Sequence, residues 1–280
     1  MTGSLARALW LAWRSPTGRA ATITFLFMSL VALLGPFLLS DPTLIPDAIS
    51  GAAAPSLLHP LGTDQLSRDV LSRVVSGARV SLAVAALAVA LSLTVGAAVG
   101  LIAGYAGGLT DAVLMRLVDG ALAVPRLFVL LLLVLVWDRI PLGALILVVG
   151  VTGWFGTSRL VRGEVLRLRR AEFVQAAEGL GATPLRIILR HLLPNVAGPL
   201  IVTATLGLGD VILLEAGLSF LGLGVQPPTP SWGGMILDAR PVLLTAPWTS
   251  IFPGVAILIT VLAANLLGEA LQSALDPRTA

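Results

Sequence analysis

The side chains that most often carry chemistry are few here, and their types exclude most of it. None of the 280 residues is cysteine, which removes thiolate nucleophiles, disulfides and zinc–thiolate sites. All 18 basic residues are arginine. Without lysine the chain has no P-loop grip on a nucleotide and no Schiff base. What remains is acid and base set in apolar sequence: Arg116 with Asp119 three residues on, Asp210 with Glu215, and a run of arginines between 159 and 190. Ionisable groups in such surroundings pair with each other, line a polar path or dock a partner. A nucleophile–base pair is not apparent, so an intramembrane enzyme is disfavoured.

The surroundings are extreme. The chain is 56% hydrophobic and 12% charged, where a soluble domain is about a quarter charged. So little polar surface cannot cover so much apolar area, and most of it must face lipid. The net charge of +3 is too small to suggest a nucleic-acid partner. A helix crosses the roughly 30 Å hydrocarbon core in about 20 residues. Six stretches qualify: 20–39, 80–103, 112–137 with a kink at Pro125, 142–158, 196–220 and 251–271. The first is longer than a signal-peptide core and no A-x-A site follows, so it is read as a retained helix. The expectation is an all-α integral membrane protein with six transmembrane helices.

Arginine placement orients it. Arg7, Arg14 and Arg19 lead the chain without an acid, and Arg159, Arg162, Arg167, Arg169, Arg170, Arg186 and Arg190 outnumber Glu164, Glu172 and Glu178 between spans four and five. Asp41, Asp47, Asp64 and Asp69 outweigh Arg68 and Arg73 between spans one and two. The reading is a cytoplasmic leader at 1–19 and one transmembrane domain at 20–280, with both termini and the 159–195 loop in the cytoplasm. His59 then lies outside and His191 inside, so they cannot share an ion; no metal site and no cofactor are expected in this chain.

Within that loop, Phe173, Ala176, Ala177 and Leu180 share one face of a short helix. Gly179 and Gly181 end it. Thr183 then caps a second helix with Pro184 at its first position. Leu185, Ile188, Leu189 and Leu192 make its apolar face, Arg186 and Arg190 project on the other side, and Leu193-Pro194-Asn195 closes it. Two short amphipathic helices joined by a glycine turn suit either a groove on a protein partner or the surface of anionic lipid.

Four features stay open on the residues alone. Arg116 and Asp119 are read as a structural intramembrane pair. Asp210 and Glu215 either face a water-filled path, where a substrate's ammonium would meet them, or pair with another subunit. The Gly-, Pro- and Trp-rich stretch 221–250, with Trp232 and Trp248, either receives an outside partner or lies at headgroup depth. For 59–79, an amphipathic helix entered through Thr63, with Leu66, Val70, Val74 and Val75 on one face, serves docking or plain packing.

Gln175-Ala176-Ala177, Gly181 and Leu193-Pro194 match the spacing of the EAA loop of ABC-importer permeases, with Gln175 where that family has Glu and His191 where it has Ile. His59-Pro60-Leu61-Gly62-Thr63-Asp64-Gln65-Leu66-Ser67-Arg68-Asp69 resembles a segment of the dipeptide/oligopeptide/nickel permease family, C-type subunit, with Ser67 for the usual glycine. Gly104-Tyr105-Ala106-Gly107-Gly108, Met115 to Asp119, Ser219 to Pro228 and Leu275-Asp276-Pro277-Arg278 are also similar, in family order.

This resemblance implies a transport subunit, not an enzyme, that forms half of a path for dipeptides or oligopeptides; nickel or another small solute is the alternative cargo. It implies a B-type permease partner, two cytoplasmic ATPases that bind ATP and Mg, and an extracytoplasmic solute-binding protein. The site in the bacterial inner membrane would be a coupling helix formed by Phe173, Gln175, Ala176, Ala177, Leu180, Gly181, Pro184, Leu193 and Pro194. A secondary transporter, from a different class, would show a duplicated half, and none is apparent.

Overall fold

Lipid offers backbone amides no hydrogen-bond partner, so a chain of this composition crosses it as helices. The structure, a computed structural model, describes residue 10, residues 12–45 and residues 51–275. Arg7, Asp47 and Asp276-Pro277-Arg278 lie outside these. Among the described residues the elements are α1 (Pro16–Leu38), α2 (Val70–Ala106), α3 (Gly108–Leu122), α4 (Arg126–Val134), α5 (Leu142–Val151), α6 (Trp154–Leu168), α7 (Glu172–Gly179), α8 (Pro184–Ile187), α9 (Leu193–Phe220), α10 (Trp232–Asp238) and α11 (Trp248–Leu275). Five helical stretches are long and apolar enough to cross a bilayer: α1, α2, α5 with α6, α8 with α9, and α11. A sixth span results if α3 and α4, bent by 81° at their junction, count as one.

The central element is α2. Its 37 residues make a rod about 55 Å long at 1.5 Å per residue. The separate amphipathic helix expected at 59–79 does not form. Asp69 caps α2 instead, accepting the Ser72 N–H at 2.7 Å, and the helix runs unbroken into the span. Ser72, Arg73 and Ser76 are buried here against other parts of the chain.

Close approach of helices fixes the other end of α2. Gly96, Gly100 and Gly104 repeat every four residues and lie against α6. A Cβ on them would come within 2.6 Å of the Thr157 Cβ, 2.6 Å of the Ser158 carbonyl oxygen and 2.8 Å of the Val165 Cβ. Small residues at this spacing let helix backbones meet where lipid gives no hydrophobic drive for association. Gly107, at φ 66°, then turns the chain into α3.

Pro125 lacks an N–H and disfavours helical geometry at Val124, which breaks the third span between α3 and α4. Two ion pairs hold α3 to α6: Arg162 grips both carboxylate oxygens of Asp111, and Arg159 pairs with Asp119. This corrects the pairing expected of Arg116 and Asp119. Arg116 is exposed and makes no ion pair among the described residues, because Asp119 turns across to the neighbouring helix rather than along its own.

At the end of the bundle away from α7, residues 221–247 fold over the helix ends. Trp232, placed above at headgroup depth as one alternative, is fully buried. Its Nε1 donates to the Val74 carbonyl at 2.9 Å and its backbone N–H to the Ser81 Oγ at 3.3 Å. Outward, α1 leaves Leu26, Phe27, Leu30, Leu33 and Phe37 bare, as a lipid-facing helix does.

If the glycine stripe sets the α2–α6 distance, Gly100→Leu overpacks that contact and costs at least about 1–3 kcal/mol, read as a lower Tm in detergent. Gly120→Ala, at a position with no atom within 4 Å of the added Cβ, leaves Tm unchanged. Equal Tm values for both would contradict the packing.

Candidate functional site

The 171–195 segment is built from two helix ends and a turn. α7 finishes on a left-handed glycine, Gly181 at φ 77°. The Gly181 N–H donates to the Glu178 carbonyl at 2.9 Å and the Ala182 N–H to the Ala177 carbonyl at 3.0 Å, which satisfies two carbonyls that the helix end would otherwise orphan. Nothing lies within 4 Å of a Cβ placed on Gly181, so conformation, not crowding, selects glycine. Gly179 is the last residue of α7 rather than the turn itself. Thr183 stands at the cap of α8, but its side chain makes no capping bond.

Beyond α8 the expected stop at Pro194 does not occur. Residues 188–192 form a π turn, closed by the Leu193 N–H on the Ile188 carbonyl, and lead straight into α9. Proline cannot donate to the carbonyl four residues back and clashes with it in a regular helix; the wider turn accommodates Pro194. The run 184–220 is therefore one helical stretch of 37 residues.

That turn also sets which side chains face inward. Ile187 and Leu192, five apart, are buried with Val174 and Val196 against Val165 and Leu168 of α6. The face predicted for the second helix is thus split: Leu192 is inside, Ile188 is half-buried, and Leu185 and Leu189 are exposed. A 3.6-residue period misses Ile187 because the π turn shifts the phase. Phe173, Gln175, Ala176, Leu180, Gly181 and Pro184 are exposed, while Ala177, Leu193 and Pro194 are half-buried. Leu180 shows 89% of its surface and Leu185 66%. An apolar patch thus stands bare on a firmly packed support. The Gln175 Nε2 donates to the Arg170 carbonyl at 3.3 Å, so its amide is used locally.

Glu215, read as a candidate for the path or for a subunit contact, is held inside this chain. It is fully buried, with the Ser81 Oγ donating at 3.1 Å and the Ser219 Oγ at 2.7 Å to its carboxylate. The Ser231 Oγ is 3.4 Å from the Ser219 Oγ, and the Val225 N–H donates to the latter at 3.2 Å. Glu215 thus ties α2, α9 and the 221–247 segment together, and its partners lie in its own chain rather than in another subunit. Asp210, one and a half turns away, is exposed and lines a cavity of about 270 Å³ with Arg126. Arg126, next to Pro125 at the start of α4, carried no motif that marked it in the sequence.

The segment from His59 to Asp69 forms a knot of charge at the same end as Trp232. The Arg68 Nε donates to Asp64 at 2.7 Å; Arg73 bridges Asp64 and, at 3.0 Å, Asp238 of α10. The His59 Nδ1 lies 3.0 Å from Asp69. Trp248 at the start of α11 donates its Nε1 to the Thr63 carbonyl at 3.1 Å. Of the two roles left open for this segment, packing is present. Ser67, in place of the family's glycine, adopts φ 58°, the left-handed region where glycine carries no penalty. Its hydroxyl donates to the Gly51 carbonyl at 3.2 Å.

Comparison with known proteins places this architecture. Residues 96–280 match the family model for the binding-protein-dependent transport system inner membrane component, and the chain belongs to that family. It is 40% identical over 272 residues to the dipeptide transport system permease protein DppC of Bacillus subtilis (strain 168), covering 95% of this chain and 85% of that one. The oligopeptide transport system permease protein OppC of the same organism is 38% identical over 256 residues, covering 91% and 84%. The glutathione transport system permease protein GsiD of Pectobacterium atrosepticum is 39% identical over 224 residues, covering 80% and 74%. The protein is a multi-pass membrane permease subunit of an ABC importer.

Removal of the buried carboxyl tests its structural role. Glu215→Ala strands the hydroxyls of Ser81 and Ser219 and costs about 1–3 kcal/mol, lowering Tm, whereas Glu215→Gln keeps most of the bonds and most of the stability. A wild-type Tm for Glu215→Ala would contradict it.

Proposed function

We propose that this chain is the C-type half of the translocation path in an ATP-driven importer of dipeptides or oligopeptides. Its partners are a B-type permease, two cytoplasmic ATPases that bind ATP and Mg, and an extracytoplasmic solute-binding protein; this chain itself holds no cofactor. The leader at 1–19 and the 159–195 loop lie in the cytoplasm, and residues 20–280 form the permease domain. Arginine placement supports that orientation. The relatives named for dipeptides, oligopeptides and glutathione support a peptide cargo over nickel.

One observation carries the mechanism: the bare patch of Phe173, Leu180, Leu185 and Leu189 sits at the foot of the helical run 184–220. A groove on an ATPase takes that patch, with Ala176 and Ala177 letting backbones approach. Closure of the ATPase pair then displaces the patch, and the run carries the displacement into the membrane, a rigid-body route to alternating access. Leu193 and Pro194 set the junction between patch and span. No proton or covalent step is needed in this chain.

Gly181→Val tests the coupling. A β-branched residue at φ 77° is strained by roughly 1–3 kcal/mol, and the turn must shift. Peptide uptake by the assembled importer falls more than about tenfold while the ATPases still copurify and hydrolyse ATP. Gly181→Asn, which tolerates the left-handed region, retains most uptake. Unchanged uptake by Gly181→Val would remove the coupling role.

A further inference from the structure

Most charges at membrane depth have partners within the chain. Asp111 and Asp119 are held by Arg162 and Arg159, and Glu215 by serines. Arg126 and Asp210 differ: they line one cavity with Ser92, Thr157 and Thr203. These residues fall near the middle of α2 and α9 and at the junction of α5 with α6, so the cavity sits at mid-depth.

The cavity is built around the arginine. The Arg126 Nη2 donates to the Val149 carbonyl at 2.6 Å and its Nε faces the Thr152 Oγ1 at 3.4 Å. A Cβ at Gly153 would come within 2.9 Å of Nη2 and 2.3 Å of the Ser92 Oγ, so glycine keeps the guanidinium's seat open. The Nη1 donors make no bond among the described residues. Asp210 likewise accepts no hydrogen bond there, and it shares the cavity wall with Arg126. A charge at this depth persists only against water, a counter-charge or a ligand.

We propose that this cavity is a ligand station for a zwitterion with separated termini: Arg126 takes the carboxylate and Asp210 the ammonium. Thr157 and Thr203 offer hydroxyl oxygens to the amide N–H between them. Such a site reads the main chain of a peptide and ignores its side chains, as a path for varied peptides requires. The inference rests on the peptide-importer reading above and adds the contact that reading lacks.

The test uses the complete importer with its partners in proteoliposomes, and radiolabelled dialanine. Asp210→Asn and Arg126→Gln each lower uptake roughly tenfold, the loss of one charged hydrogen bond, while the ATPases still copurify and turn over. The cysteine-free chain allows a second reading: Thr203→Cys reacts with a water-soluble cationic thiol reagent faster than with an anionic one. That preference collapses in Asp210→Asn, and dialanine with binding protein and ATP slows the labelling severalfold. Wild-type uptake by both charge variants, or labelling that dialanine does not slow, overturns the station. A wild-type assembly that holds no ATPase or takes up no dialanine overturns the parent reading as well, and the unmutated control alone reveals that case.

Discussion

A backbone inside a bilayer has only itself to bond with, so a helix that enters the membrane without a break is stiff along its whole length. The stretch from Pro184 to Phe220 is one helical run, with a π turn at 188–192 and Pro199 within it, and the arrangement of the molecule depends on it. At its foot the exposed patch of Leu180, Leu185 and Leu189 is held by Ile187 and Leu192, which are buried against α6. Near its head Glu215 joins Ser81 of α2, and Ser219 one turn further on holds the Val225 N–H of the segment that folds over the far end. In the proposed mechanism, displacement of the foot reaches the opposite side of the membrane along this run, with Asp210 and its cavity on the way.

The same solvent sorts the polar residues. A charged or polar group is expensive at membrane depth unless it is satisfied, and the chain satisfies nearly all of its own locally. Arg162 and Arg159 fasten α3 to α6 through Asp111 and Asp119. At the far end Asp64, Arg68, Arg73 and Asp238 form a compact network that secures α10 over α2. Much of this polarity locks the bundle, while Arg126 and Asp210 line one cavity without an ion pair among the described residues.

Much of this was legible beforehand, for physical reasons that differ by feature. Hydropathy located α1, α9 and α11 because lipid demands an apolar run of fixed length. Gly181 was readable as a turn because few other residues accept its φ. Four things were not. The upstream extension of α2 hid behind Arg73, Ser72 and Ser76, polar side chains whose burial depends on Asp64 and Asp238, the latter 165 residues away. Asp119 looked paired with Arg116 because three residues along a helix are close, yet it pairs with Arg159 across 40 residues. The burial of Glu215 left no sign in the sequence, since its serines lie on three elements. The π turn gave no signal except Pro194. By contrast, the repeat Gly96, Gly100, Gly104 was plainly written at four-residue spacing and was overlooked.

Rigidity between the two ends of the 184–220 helix can be measured directly. Spin labels at Arg186→Cys and Gly217→Cys, in a chain that has no other cysteine, report a distance along the helix of roughly 46 Å at 1.5 Å per residue. A second pair, Gly217→Cys with Leu34→Cys of α1, reports motion of the helix against the lipid-facing one. Between the nucleotide-free and ATP-bound states of the assembled importer, the first distance stays constant while the second changes. A change along the helix of about one turn, 5.4 Å, or a split distribution there, would mean that the helix gives way and that force does not travel through it.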